Sequence, residues 1–207
     1  MKGEAVFLVD DDPDVLDAVS FLLTTDGLRV ESFASPEALL ERVTPQEAGC
    51  LVLDVRLPGM NGLELQERLR ANGVRMPIIF ITGHGDIPMA VKAVNQGALD
   101  FLEKPFDDDK LLATIQHGLV RDRERREHSD RLAAIEAALD SLTPRETEVM
   151  EEILRGKLNK IIAADLDMSV RTVEVHRARV LEKLGARNGS DMVRVVLSSE
   201  RYHDWSP

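Results

Sequence analysis

The chain of 207 residues has a single cysteine, and no apolar run in it approaches the roughly 20 residues needed to cross a bilayer. Cys50 therefore cannot form an internal disulfide, and its place beside an apolar run marks it as an inert buried thiol. Met1-Lys2-Gly3-Glu4 lacks the charged and apolar regions of a signal peptide, so no membrane partner and a cytoplasmic location are expected. What is present is ordinary for a folded protein, with 43% hydrophobic and 30% charged residues. The length leaves room for one large domain or two small ones.

Charge is unevenly distributed. The overall net charge is −11, of which −10 falls on residues 1–120, whereas residues 143–207 are neutral. Within that neutral part, residues 155–187 hold eight basic side chains against four acidic ones. An acidic front and a locally basic rear point to two domains with different partners.

In the front part, Ala5–Val9, Cys50–Leu53 and Pro77–Ile81 are continuous apolar runs of strand length, the habit of strands buried on both faces. Shorter strands are expected at Leu28–Phe33 and Leu99–Leu102. Between them lie helical patterns with recognisable starts. Asp12-Pro13 and Ser35-Pro36 are cap-and-proline entries, and Asn61-Gly62 leads into a third helix. A fourth helix ends at Gly97, and a fifth is expected over Asp107–Leu119. Strands alternating with helices predict an α/β doubly wound, five-stranded parallel sheet, for which strand order 2-1-3-4-5 is a common arrangement.

Ligands bind at the carboxyl ends of the strands in such sheets. There the sequence places Asp10 and Asp11 after the first strand, Asp54 after the third, Thr82 after the fourth and Lys104 after the fifth. Each alone has a plain structural use, as cap, loop partner or solvated lysine. Together they form a reactive set. Crowded carboxylates repel unless a cation intervenes, and hard oxygen donors suit Mg²⁺, or Mn²⁺ in its place. A carboxylate beside such an ion can attack a phosphoryl group, with Thr82 and Lys104 donating to the phosphoryl oxygens.

These residues resemble a known family. Val9-Asp10-Asp11, Asp54 with Pro58-Gly59 and Gly62, Thr82-Gly83-His84-Gly85-Asp86, and Phe101-Leu102-Glu103-Lys104-Pro105-Phe106 are similar to the receiver domain of two-component response regulators. The resemblance implies that Asp54 accepts a phosphoryl group from a histidine kinase. It implies that Asp11, Asp54 and the main-chain carbonyl of Arg56 ligate Mg²⁺, with Asp10 acting through water. Thr82 and Phe101 would be the switch pair, and the Lys104-Pro105 bond would be cis. His84 reads as a loop residue, and Ile87, Met89 and Val91 are expected on or near a face formed by the fourth helix, fifth strand and fifth helix. That face is expected to mediate a homodimer on phosphorylation.

Residues 121–142 read as a helical linker. Arg121–His128 has no apolar face, yet Asp122/Arg126 and Glu127/Arg131 are acid-before-base pairs at helical spacing. Leu132, Ile135, Leu139 and Leu142 then recur as a short seam, suited either to a dimer or to packing on a neighbouring domain.

From 143 onward the pattern is all helical. Thr143-Pro144-Arg145-Glu146 is a capping box, Gly156 stops that helix, Asn159–Leu166 forms a short one, and Ser169 caps a longer one to Leu184. A fourth helix is expected from Ser190. Two helices joined by a tight turn read as helix-turn-helix. Arg171, Thr172, Glu174, Val175, Arg177 and Arg179 would face DNA, while Lys157, Asn159, Lys160 and Lys183 are placed for phosphates. The segments Leu142–Glu146, Asn159–Ala163 and Ser169–His176 with Lys183-Leu184 resemble the LuxR-type DNA-binding domain. With the receiver, this resemblance indicates the FixJ-like branch of the NarL/FixJ family. Many relatives have Lys where this chain has Glu174, which argues for base reading at that position.

The expected function is thus a phosphorylation-dependent transcriptional regulator, with promoter DNA and a sensor kinase as partners and RNA polymerase as a further candidate. Its enzymology would be limited to self-phosphorylation and autodephosphorylation at Asp54. A haloacid-dehalogenase-type hydrolase is the enzymatic rival, but it needs a second Asp where this chain has Arg56. A phosphate sink with an inert tail is the non-regulatory rival.

Overall fold

The computed structural model describes residues 3–83 and 87–205, and the backbone alone of residues 87–90. His84, Gly85 and Asp86 lie outside the described residues, as do the side chains of Ile87 and Met89. The chain divides into two compact units, Met1–Arg126 and Glu127–Pro207.

The first unit contains β1 (Ala5–Val9), α1 (Pro13–Thr25), β2 (Val30–Phe33), α2 (Pro36–Arg42), β3 (Gly49–Asp54), α3 (Gly62–Ala71), β4 (Ile78–Thr82), α4 (Ile87–Asn95) and β5 (Asp100–Glu103). The strands pair in parallel in the order β2-β1-β3-β4-β5, as expected. Strand alternation sorts the apolar runs into two cores. Phe7, Val9, Leu51, Leu53, Ile78 and Phe80 face one way, towards Leu39 of α2, Leu65 and Leu69 of α3 and Ala93 of α4. Val6, Leu8, Cys50, Val52, Ile79 and Ile81 face the other, towards Val19 and Leu23 of α1 and towards the fifth helix. Helices therefore cover both faces, and the central strands are buried from end to end.

The fifth helix runs on into the helical linker, the extension that the charge pairs of residues 121–142 allow. It does not end at Leu119 but continues as α5 from Asp108 to Asp140. On the way it buries a carboxylate where the sequence shows no apolar face. Asp122 is 1% exposed and accepts the main-chain N–H of Gly49 at 3.0 Å. Arg125 and Arg126, three and four residues on, donate to the same carboxylate at 2.6 and 2.9 Å. Gly49 can lie this close because it has no side chain: at φ +147°, a Cβ would sit 1.8 Å from the Ala5 carbonyl oxygen. The expected Asp122–Arg126 pair is thus present, whereas no Glu127–Arg131 ion pair forms.

The second unit adds α6 (Pro144–Leu154), α7 (Asn159–Asp165), α8 (Val170–Lys183) and α9 (Gly189–Leu197) to the end of α5. The Thr143/Glu146 capping box and the Ser169 cap form as expected, and Asn188 rather than Ser190 introduces the last helix. The turn between α7 and α8 is made by Asp167 at φ 52°, a conformation that a short polar residue tolerates. Ile135 and Leu139 join Val149, Ile162, Val173, Val180 and Met192 in one core. Of the two uses open to the apolar seam, it serves packing within this unit.

Candidate functional site

At the carboxyl edge of the sheet, β1 and β3 deliver Asp10 and Asp54 into nearly dry positions, 1% and 6% exposed. Asp11 beside them is exposed. Carboxylate oxygens of all three lie within 4.8 Å of one another. Local turns hold them. The Asp12 N–H donates to Asp10 Oδ1 at 3.0 Å, and the Arg56 N–H donates to Asp54 Oδ1 at 2.8 Å. Asp12 itself caps α1, so the three consecutive aspartates divide their tasks.

Lys104 closes the site from the end of β5. Its Nζ donates to Asp10 Oδ2 at 2.6 Å and to Asp54 Oδ2 at 2.8 Å. Burial draws the ammonium down, but these bonds outweigh it and raise Lys104 above its ordinary value, so it is held as a cation. Burial also pushes the Asp10 carboxyl up despite Lys104. The donor set is entirely hard oxygen and carries more negative charge than one lysine neutralises. It therefore fits a small divalent cation held by Asp10, Asp11 and Asp54.

Thr82 ends β4 and is fully buried. Phe101 pairs with Phe80 on the neighbouring strand, so Phe101 and Thr82, two residues beyond Phe80, share the face covered by α3 and α4. Phe101 is half-buried there. The Lys104-Pro105 bond is cis. Gly62 belongs to the sequence motif, but its physical role emerges only in three dimensions. A Cβ there would lie 2.4 Å from the Asp54 carbonyl oxygen and 3.0 Å from Val55 Cα. Any side chain would displace the end of β3.

The second unit presents α8 with Arg171, Thr172, Glu174, Val175 and Arg179 exposed, while Val173 and Val180 anchor its other side. Lys160 on α7 is also exposed. Several expected contacts are instead committed within the unit. Arg177 is half-buried, and its Nη1 donates to Asn159 Oδ1 at 3.1 Å, tying α8 to α7. Lys157 pairs with Glu152 and Asp165. The Thr172 hydroxyl shares a 2.8 Å hydrogen bond with the capping Ser169.

Lys183 departs furthest from its expected role. Its Nζ donates to the Ser141 carbonyl and to Glu146 Oε2, both at 2.7 Å. Glu146 is 2% exposed, and Lys183 together with the Thr143 N–H holds its carboxyl down at about 2. Lys183 thus satisfies a buried capping residue and is not a free phosphate ligand. Charge counting along the sequence cannot see that partner 37 residues away.

Comparison with known proteins covers both units. Residues 6–116 match the family model described as the response regulator receiver domain, and residues 140–196 match bacterial regulatory proteins of the luxR family. The chain is 44% identical to the response regulator protein TmoT of Ectopseudomonas mendocina, over 94% of this chain and 89% of the relative. It is 42% identical to the transcriptional regulatory protein FixJ of Bradyrhizobium diazoefficiens, over 98% of both. Among solved structures, response regulator StyR matches with TM-score 0.87 and 44% identity over 93% of this chain and 98% of that one. Full-length FixJ from B. japonicum matches with TM-score 0.60 and 40% identity over 96% and 98%.

Proposed function

The chain belongs to the two-component response regulators that join a receiver domain to a LuxR-type DNA-binding domain, and from that premise we propose that Asp54 is the phosphoryl acceptor whose modification controls promoter binding. The observation that carries this reading is the juxtaposition of Asp10, Asp11 and Asp54 with Lys104 at one sheet edge. The protein regulates transcription and is not a typical enzyme.

An oxygen of Asp54 forms a bond to the phosphorus of a kinase phosphohistidine as the P–N bond breaks, its electron pair leaving on the imidazole. Water later cleaves the acyl phosphate and restores the carboxylate. A Mg²⁺ ion held by Asp10, Asp11, Asp54 and the Arg56 carbonyl would neutralise charge on the phosphoryl oxygens. Lys104, already a cation in contact with Asp54, transfers one hydrogen bond to the new phosphoryl group, and the Thr82 hydroxyl supplies another. Thr82 moving inward vacates space on the face it shares with Phe101, and Phe101 follows. Phe101 has no hydroxyl, so its burial alone reports the change.

The response is carried outward by α4, β5 and α5. Val91 and Val94, one turn apart on α4, are 52% and 53% exposed, an apolar stripe suited to a second copy of the chain. A kinase has access to the acidic edge along the groove lined by Val15, Ala18, Leu22, Lys104 and Phe106. In the second unit Glu174, Val175, Arg171 and Arg179 read the major groove, and Lys160 with them meets phosphates. Lys157, Asn159, Thr172 and Arg177 orient this surface through the contacts described above. No described helix is long and apolar enough to cross a membrane, and the work of such a regulator lies in the cytoplasm, where RNA polymerase is its further partner.

The test is incubation with acetyl phosphate and Mg²⁺ followed by intact-mass measurement. One phosphoryl group is expected on the native chain and none on Asp54→Asn; equal labelling of both proteins contradicts the assignment.

A further inference from the structure

On the opposite edge of the receiver sheet from Asp54, four arginines surround one small cavity. Arg70 comes from the last turn of α3, Arg75 from the loop before β4, and Arg121 and Arg125 from α5. The cavity has a volume of about 250 Å³. This concentration of positive charge stands out in a unit, residues 1–126, that carries a net charge of −8.

The cluster is only partly explained by internal bonds. Arg75 uses Nη1 on the carbonyls of Arg70 and Val74, which terminates α3, and Arg70 makes a single long contact of 3.4 Å to the Gly97 carbonyl. Arg125 gives one nitrogen to Asp122, while its Nε is buried without a partner. Among the described residues Arg121 has no ion-pair or hydrogen-bond partner. Asp122, the carboxylate that Arg125 uses, is already shared with Arg126 and the Gly49 N–H. Burial, with Arg75 and Arg125 close by, pushes the Arg70 guanidinium below its ordinary value, the signature of like charges crowded together.

We propose that this cavity is a binding site for a small phosphate-type oxyanion, gripped by Arg70, Arg75, Arg121 and Arg125. Planar guanidinium forks match phosphate oxygens in pairs, and a dianion offsets charge that a monocarboxylate leaves largely uncompensated. The volume accommodates phosphate or pyrophosphate. Because two of the four arginines stand on α5 and two on the α3–β4 side, a bound anion would brace the part of α5 that leaves the receiver. The site is separate from Asp54, so its ligand acts as a second input to the same helix.

Isothermal titration calorimetry of the full chain with pyrophosphate and with inorganic phosphate, in EDTA at fixed ionic strength, tests this. Saturable binding is expected for both anions. It should weaken at least about tenfold in Arg75→Gln/Arg121→Gln, since each lost charge-assisted bond is worth roughly a factor of ten or more. Both positions are exposed, so the variant should keep its circular dichroism spectrum and its uptake of phosphate from acetyl phosphate at Asp54. Absence of saturable heat overturns the proposal. So does unchanged affinity in the variant, which would place the anion elsewhere, such as on the basic α8. Equal binding of succinate overturns the phosphate assignment.

Discussion

Asp54 illustrates how little one side chain means by itself. A carboxylate ending a strand is commonplace, and the reactivity proposed for this one rests on Asp10, Asp11 and Lys104 gathered beside it. Gly62 sets the precision of that arrangement. Gly62→Ala should destabilise the receiver by about 1–3 kcal/mol through overpacking against the β3 backbone. It should also slow phosphorylation at Asp54 by roughly tenfold or more, as displaced reacting groups do; stopped-flow kinetics with acetyl phosphate checks this. Glu146 supports a pH prediction. Its folded value of about 2 lies below the ordinary 4.5, so its pairing stabilises the protein fully above about pH 4.5 and is lost as pH falls towards 2. Glu146→Gln should therefore cost about 2 kcal/mol in urea unfolding at pH 7. The gap from the native chain should close near pH 2, and a gap constant across that range refutes the pairing.

At the scale of elements, α5 is decisive. Near its middle, Asp122 ties the helix to the start of β3 through the Gly49 N–H, so Asp122→Ala should cost about 3 kcal/mol. Amide exchange should accelerate around residues 119–126 while the β3 and β4 amides remain protected; uniform loss of protection would mean Asp122 is not a local clamp. This element also marks the limit of what the sequence discloses. The three central strands β1, β3 and β4 are legible because a short apolar run that ends in Asp or Thr suits a buried strand and little else, and the caps at Asp12, Ser35 and Thr143 are local. The proposed acceptor site is legible because its members lie at strand ends. The length of α5 is only half legible, as i,i+4 charge pairs, since its anchor is the main chain of Gly49, 73 residues earlier. Lys183 looks like a phosphate ligand in the sequence for the same reason: its partner is remote and buried. The Arg177–Asn159 tie and the arginine cavity likewise depend on tertiary proximity that spacing does not encode.

At the scale of the whole molecule, the proposed function has the receiver supply a chemical state and α8 supply sequence recognition. Among the exposed residues Arg171, Thr172, Glu174, Val175 and Arg179 of α8, Glu174 is the acidic one. Glu174→Ala should relax preference at one base-pair position by about 1–3 kcal/mol without changing the others. Binding-site selection before and after the substitution checks it, and uniform weakening across all positions would identify a different role. The central claim is that modification at Asp54 governs assembly on DNA. Light scattering and footprinting on genomic fragments, with and without beryllofluoride and Mg²⁺, test it most directly. The native chain should double in mass and protect discrete sites only with beryllofluoride, while Asp54→Asn does neither; a beryllofluoride-induced dimer and footprint in Asp54→Asn would contradict the account.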